Sequence, residues 1–305
     1  MALHRLTKVT VGVPDVEAAA AFYRDFGLDD LGDGRFATTD GGEQLRLVPA
    51  SRRGLHELGI GADDPDDLDR LASSLAAIGV IAKRADDALR TEDPTTGTAV
   101  TVTIAPRVAV NATDALVYNA PGRTERAGER SDAVLRDEPV RPRRLSHVVL
   151  GSPDADATRQ FFTEGLGFKV SDRVPGVGAF LRCSTDHHNV LVQGAPVTFL
   201  HHTSWLVDDV DEVGRGGAHM LAADPSRHVW GLGRHHIGSN FFWYLRDPAG
   251  NFAEYASDLD VIIDDELWKA EDFADLRAIV SWGPPVPASF IAPEDLGALM
   301  ATGAR

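Results

Sequence analysis

One stretch of this chain recurs nearly half a chain later, and a repeat limits the fold more than any local pattern does. Residues 6–15 read L-T-K-V-T-V-G-V-P-D, and residues 145–154 read L-S-H-V-V-L-G-S-P-D. Each is a short alternating strand running into a Pro-Asp helix start. Each leads to a helix with paired aromatics, Phe22-Tyr23 and Phe161-Phe162, that stops at a glycine-bearing turn. A second pair lies at 55–64 (L-H-E-L-G-I-G-A-D-D) and 200–209 (L-H-H-T-S-W-L-V-D-D), with helical segments after both. Asp93-Pro94-Thr95-Thr96-Gly97 likewise corresponds to Asp247-Pro248-Ala249-Gly250 with one extra residue. The chain therefore reads as an α+β protein of four βαβββ modules, at about 4–50, 53–106, 144–195 and 199–257.

Paired, the modules give two similar domains, an N-terminal one over 1–120 and a C-terminal one over 144–260. The charged, turn-rich residues 121–143 between them read as an exposed connection. A tail over 261–305 carries an acidic helical stretch from Asp264 to Leu276 and a final helix from about Pro293 to Thr302. With 305 residues the length suits two domains. A net charge of −16 excludes nucleic acid and anionic membrane as partners, because neither attracts such a surface. The single cysteine, Cys183, rules out an intrachain disulfide framework. The opening residues lack the apolar run of a signal peptide, and no later run reaches ~18 apolar residues. The expectation is a cytoplasmic protein.

The residues that carry chemistry cluster around one predicted hairpin. Asn240 to Arg246 is an aromatic-rich strand, Asp247 to Asn251 a turn, and Phe252 to Tyr255 the returning strand. Pro248 presets φ for the turn's first corner and Gly250 can take a positive φ. Glu254 lies between apolar neighbours on the returning strand, so its carboxylate needs a partner. That partner is either a metal ion or an arginine, with Arg182, Arg234 and Arg246 as candidates.

The repeat serves as an internal control. The second half holds His147, His202 and Glu254 where the first half holds Lys8, Glu57 and Thr101. Histidines needed only for packing would recur in both halves, so the difference favours function. Two imidazoles and one carboxylate form the facial triad of non-haem Fe(II) sites, leaving residual positive charge and about three open positions. By strand alternation His201 should face away from His202. His56 at the same point of the first half marks His201 as structural, and His236 reads as surface decoration.

These residues carry a resemblance. The run Gly233-Arg234-His235, Asn240-Phe241-Phe242-Trp243-Tyr244 and Asp247-Pro248-Ala249-Gly250-Asn251-Phe252-Ala253-Glu254-Tyr255 resembles the type I extradiol ring-cleavage dioxygenases of the vicinal oxygen chelate superfamily. The resemblance spans the chain as four modules and is strongest over 145–255. It implies a vicinal oxygen chelate, glyoxalase-like fold with His147, His202 and Glu254 as ligands of Fe(II), or of Mn(II). It implies active-site roles for His235 and Tyr244, and an acid–base role for His188, with His187 as the alternative. The substrates implied are a catechol and O₂, and the product a muconic semialdehyde type compound. The N-terminal domain would lack a metal site, and a homo-oligomer, guessed as a tetramer, would be usual.

Some relatives that cleave carboxylated catechols carry an arginine where this chain has Trp230, which favours a neutral or apolar substituent here. Ser281 to Phe290 resembles the family's closing segment. Fold does not fix function. A glyoxalase-like metal-dependent isomerase or transferase, and a metal-free antibiotic-sequestering protein, remain as alternatives.

Overall fold

The computed structural model describes residues 3–275 and 279–303. Its first sheet carries β1 (Leu3–Val13), β2 (Asp29–Gly32), β3 (Arg35–Thr38), β4 (Gly42–Pro49), β5 (Gly54–Ala62), β6 (Ala82–Arg84), β7 (Ala88–Glu92) and β8 (Ala99–Ile104). The second carries β9 (Arg144–Ser152), β10 (Lys169–Val174), β11 (Gly178–Arg182), β12 (Val190–Gly194), β13 (Phe199–Leu206), β14 (His228–His235), β15 (Phe241–Arg246), β16 (Phe252–Ser257) and β17 (Val280–Trp282).

The strand orders are β2-β3-β4-β1-β5-β8-β7-β6 and β10-β11-β12-β9-β13-β16-β15-β14-β17. They match position for position, with β17 added at one edge, so the repeat read in the sequence is a repeat of topology. Each half is two βαβββ units, joined where β1 meets β5 and where β9 meets β13.

The helices that follow the repeated strands start as the Pro-Asp pairs predict. Asp15 accepts from the Ala18 amide at 2.9 Å at the head of α1 (Val16–Asp25), and Asp154 from the Ala157 amide at 3.0 Å at the head of α2 (Ala155–Gln160). Such a cap stabilises a helix by ~1 kcal/mol. The paired aromatics point inward: Phe22, Tyr23, Phe161 and Phe162 are all buried. A single hydrophobic core runs through both halves. At their contact the Phe26 and Tyr255 rings stack with centroids 3.9 Å apart, and the Tyr255 hydroxyl donates to the Phe26 carbonyl. Gly27 sits at φ +91° with the Val140 carbonyl 2.1 Å from where a Cβ would stand, so only glycine fits.

Residues 105–143 link the sheets with little regular structure beyond the short helix Asp132–Leu135. The tail departs from expectation. Asp264 to Asp275 forms turns and bends rather than a helix, and Leu276 lies outside the described residues. Its acids are taken by basic residues of the sheet: Asp265 by Lys169 and Arg182, and Asp272 by Arg173. These long-range pairs hold the segment flat against β10 instead of letting it coil. The final helix runs from Leu296 to Gly303, preceded by a single turn at Ala288–Ile291. Among the described residues no helix is long and apolar enough to cross a membrane.

Candidate metal centre

Three neighbouring strands in the middle of the second sheet carry the triad. Ser204 of β13 pairs with His147 of β9 on one side and with Glu254 of β16 on the other. His202 stands two residues earlier on β13, on the same face. The register thus sets one carboxylate and two imidazoles around a common point. His147 Nε2 lies 3.2 Å and His202 Nε2 3.7 Å from Glu254 Oε2, and the two nitrogens are 3.3 Å apart. Among the described residues, these are the histidine, cysteine and acidic side chains whose ligand atoms gather within 4.8 Å.

The donor set fits a divalent ion. Three ligand atoms about 2.1 Å from one ion and at right angles to each other stand ~3 Å apart. Glu254 is fully buried, and its Oε2 has no hydrogen-bond partner despite the nearby imidazoles. An orphaned buried carboxylate oxygen calls for a cation. None of the three candidate arginines supplies it: Arg182 pairs with Asp265, Arg234 with Asp258 and Arg246 with Glu294. Burial pushes the Glu254 carboxyl upward, but the His147 and His235 imidazoles outweigh it and the net shift is downward. Burial holds His202 well below its ordinary value, so it presents a lone pair.

The first sheet gives the contrast. Gly59 of β5 pairs with Lys8 on one side and Thr101 on the other, which places Lys8, Glu57 and Thr101 at the register positions of the triad. There the Thr101 hydroxyl donates to Glu57 Oε1 at 2.6 Å and the Thr10 hydroxyl to Oε2 at 3.3 Å. Both carboxylate oxygens are satisfied by hydroxyls.

The predicted neighbours gather on the triad. The Ile279 carbonyl accepts from His235 Nδ1–H at 2.7 Å, leaving Nε2 to accept from the Tyr244 hydroxyl at 2.9 Å. Tyr244 pairs directly across from Glu254 in the β15–β16 register. Burial, then the Glu254 charge, raises the Tyr244 phenol well above its ordinary value, so it stays a donor. Burial lowers His235. The His188 ring lies 4.1 Å from the His147 ring, centroid to centroid, and burial with neighbouring imidazoles holds it well below its ordinary value. His187 is turned away to Asp172 Oδ2, 2.8 Å from its Nε2, and its Nδ1 stands 3.0 Å from His188 Nδ1. Of the two, His188 lines the cavity over the triad. His236 is exposed.

His201 corrects the sequence reading. It is buried, and its Nδ1 lies 2.7 Å from His202 Nδ1. A bulge between Leu200 and His202 breaks the alternation that would have sent the two rings to opposite faces. Asn240, whose amide donates to Glu254 Oε1 at 3.2 Å, is a further neighbour that carried no assignment in the sequence. Its place in the aromatic strand beside His235 was the available signal.

The cavity over the triad is polar on its floor and apolar on its walls, with Val149, Phe180, Leu191, Ile237, Ile279 and Phe290 around the histidines and Tyr244. It shares Phe180, Leu191, Gln193, His201, Ile279 and Phe290 with an outer cavity walled by Val174, Val177 and Ile291. Trp230 lies beneath, stacked on Tyr244, and donates to the Pro284 carbonyl.

Comparison with known proteins agrees with this geometry. The sequence profile of the Glyoxalase/Bleomycin resistance protein/Dioxygenase superfamily matches residues 144–255. Over 302 residues the chain is 33% identical to metapyrocatechase 2 of Cupriavidus necator, covering 95% of this chain and 92% of that protein. It is 24% identical over 255 residues to the manganese-dependent 2,3-dihydroxybiphenyl 1,2-dioxygenase of Geobacillus genomosp. 3, covering 77% and 78%. The Mn(II)-bound glyoxalase from Novosphingobium aromaticivorans superposes with a TM-score of 0.74 at 27% identity, covering 93% of each chain.

Proposed function

The chain belongs to the extradiol ring-cleavage dioxygenases of the vicinal oxygen chelate superfamily, and from that premise we propose how its own residues carry the reaction. The activity is extradiol cleavage of a catechol by O₂ at a mononuclear Fe(II) centre, with Mn(II) as the alternative ion. His147, His202 and Glu254 are its ligands in this proposal. The observation that carries the assignment is the buried, unpartnered Glu254 Oε2 facing two imidazole nitrogens.

When bound, the ion lowers the catechol's hydroxyl pKa and lets electron density reach O₂. The protein's groups do the rest. Two neutral imidazoles and one carboxylate would offset only half the charge of a bound divalent ion, and the remaining positive charge facing the cavity would attract a catecholate anion. The Tyr244 hydroxyl, whose proton goes to His235 Nε2, keeps lone pairs that can accept from a catechol hydroxyl. His235 orients the Tyr244 hydroxyl and is itself fixed by the Ile279 carbonyl. His188 lines the cavity beside His147 as a neutral ring, whose lone pair can take a proton from the substrate and return it to an oxygen later in the cycle. Phe180, Leu191, Ile279 and Phe290 exclude water from these steps.

The outer cavity, mostly apolar with Gln193 and His201 in its wall, supports a neutral, apolar ring substituent on the substrate, in keeping with Trp230. The product is then of the muconic semialdehyde type. A homotetramer completes the proposal.

The test is anaerobic reconstitution with Fe(II), followed by air and a panel of alkyl-, aryl- and carboxyl-substituted catechols, reading the yellow ring-fission product. Product from apolar catechols that vanishes in His147→Ala is the expected result. Metal uptake with no product from any catechol would instead favour glyoxalase-like chemistry.

A further inference from the structure

Two segments far apart in sequence meet at His201. Its Nε2 lies 2.6 Å from the Phe290 carbonyl oxygen, and its Nδ1 lies 2.7 Å from His202 Nδ1. A carbonyl only accepts, so the His201 proton sits on Nε2 and its Nδ1 carries a lone pair. That lone pair accepts from His202 Nδ1–H. His202 Nε2, the atom turned toward Glu254 and His147, is thereby left unprotonated. The opposite arrangement would set two lone pairs against each other at the Phe290 carbonyl. A doubly protonated His201 would be a fully buried cation with no carboxylate against it.

Phe290 is not part of the sheet. It belongs to the segment that covers the cavity, and its ring lies edge-on to His201 at 4.7 Å and packs on Tyr244 at 4.6 Å. The same segment is anchored a few residues on by Asp295, which receives a two-pronged bond from Arg53 of the first half at 2.6 and 2.8 Å. Arg53 is 3% exposed and also donates to the Leu200 carbonyl at 2.5 Å, one residue before His201. The bulge that bears His201 and His202 is therefore held to the covering segment twice, through His201 and through Arg53.

We propose that His201 is a positioning residue for the metal ligand His202, and that through the Phe290 carbonyl the covering segment sets how tightly the centre holds its ion. The proposal rests on the metal centre assigned above. Closing the segment over the cavity and presenting the ligand lone pair are then one event. An outer partner that fixes a ligating histidine is worth about 10–100-fold in metal affinity.

The experiment is a titration of the full-length apoprotein with Mn(II), reading the free ion by its EPR signal, for wild type, His201→Phe, His201→Gln and Asp295→Ala. Circular dichroism checks each fold. Phenylalanine keeps the ring packing and removes both hydrogen bonds, so the affinity should fall by about 10-fold or more. Glutamine can donate to Phe290 and accept from His202, and should restore affinity to within a few-fold of wild type. Asp295→Ala leaves every ligand in place but loosens the segment, and should weaken binding by a smaller factor. If wild type binds Mn(II) and folded His201→Phe and Asp295→Ala both titrate within about two-fold of it, the inference fails while the centre stands. Glutamine as weak as phenylalanine overturns the hydrogen-bond account. Should His201→Phe fail to fold, an unchanged Asp295→Ala is sufficient to overturn the coupling. Wild type that takes up neither Mn(II) nor Fe(II) overturns the metal centre itself, and the inference with it.

Discussion

The two halves share one topology and one register, and they answer the same electrostatic problem differently. Among the three triad positions each half places one carboxylate in the middle of its sheet, on different strands. Glu57 sits half-buried, and hydroxyls from Thr10 and Thr101 satisfy both of its oxygens. Glu254 stands one strand over, is buried completely, and has an oxygen without a hydrogen-bond partner that faces the His147 and His202 imidazoles. A satisfied carboxylate is a structural feature, whereas an unsatisfied one among neutral nitrogens is a cation site. The scaffold is indifferent to which it carries.

The comparison breaks most sharply at Glu254. Glu254→Gln removes the one anionic ligand while leaving the shape, and should cost at least 100-fold in Mn(II) affinity and all ring cleavage. A variant that keeps wild-type affinity by titration would mean that the ion sits elsewhere. Next in size is His188→Asn, which should lower kcat by about 10²-fold with metal affinity unchanged, as expected for loss of a general acid–base group. A parallel fall in affinity would make His188 part of the metal-holding shell instead.

A graft sharpens the contrast from the other side. Lys8→His, Glu57→His and Thr101→Glu together recreate the triad in the first half. Its positions are half-exposed, and the residue equivalent to His201 is the exposed His56, so the outer partners are missing. The expected result is a second Mn(II) site at least 10-fold weaker than the first. Two equal sites would show that the ligands alone are sufficient.

The smallest effect expected is on acid stability. Burial lowers His202, His188, His235 and His201, the last to about 4, so all four fold as neutral rings. Unfolded histidines take up protons near pH 6.5. Their contribution is therefore complete above that value and is lost as pH falls from 6.5 toward the lowered folded values. Calorimetry of the apoprotein should show Tm falling between pH 6.5 and 4, with a shallower slope in His201→Phe. A Tm independent of pH over that range would mean that the second half accommodates charged imidazoles.

How much of this was legible in the chain itself varies by residue. The repeat at 6–15 and 145–154 carried the topology, because two copies with the same alternation and turns must form the same strands. It also carried the triad positions, since the register that aligns Gly59 with Lys8 and Thr101 aligns Ser204 with His147 and Glu254. The hairpin turn at Asp247 to Asn251 followed from its proline and glycine. His201 was misread because alternation assumes an unbroken pleat, and a bulge leaves no mark in one sequence. Asp264 to Asp275 was misread because charge and spacing suited a helix, while its partners Lys169, Arg173 and Arg182 lie on strands far back in the chain.

What the sequence determined by itself was therefore local or repeated: strand alternation, capped helix starts, turn chemistry, and the substitution of two histidines and a glutamate into one half. What only the tertiary structure decided was which groups from distant segments meet, among them Phe290 at His201, Arg53 at Asp295 and Ile279 at His235. The physical reason is that a hydrogen bond is set by atoms a few ångströms apart in space. Periodicity records neighbours along a helix or strand, and it carries no trace of a carbonyl 89 residues away.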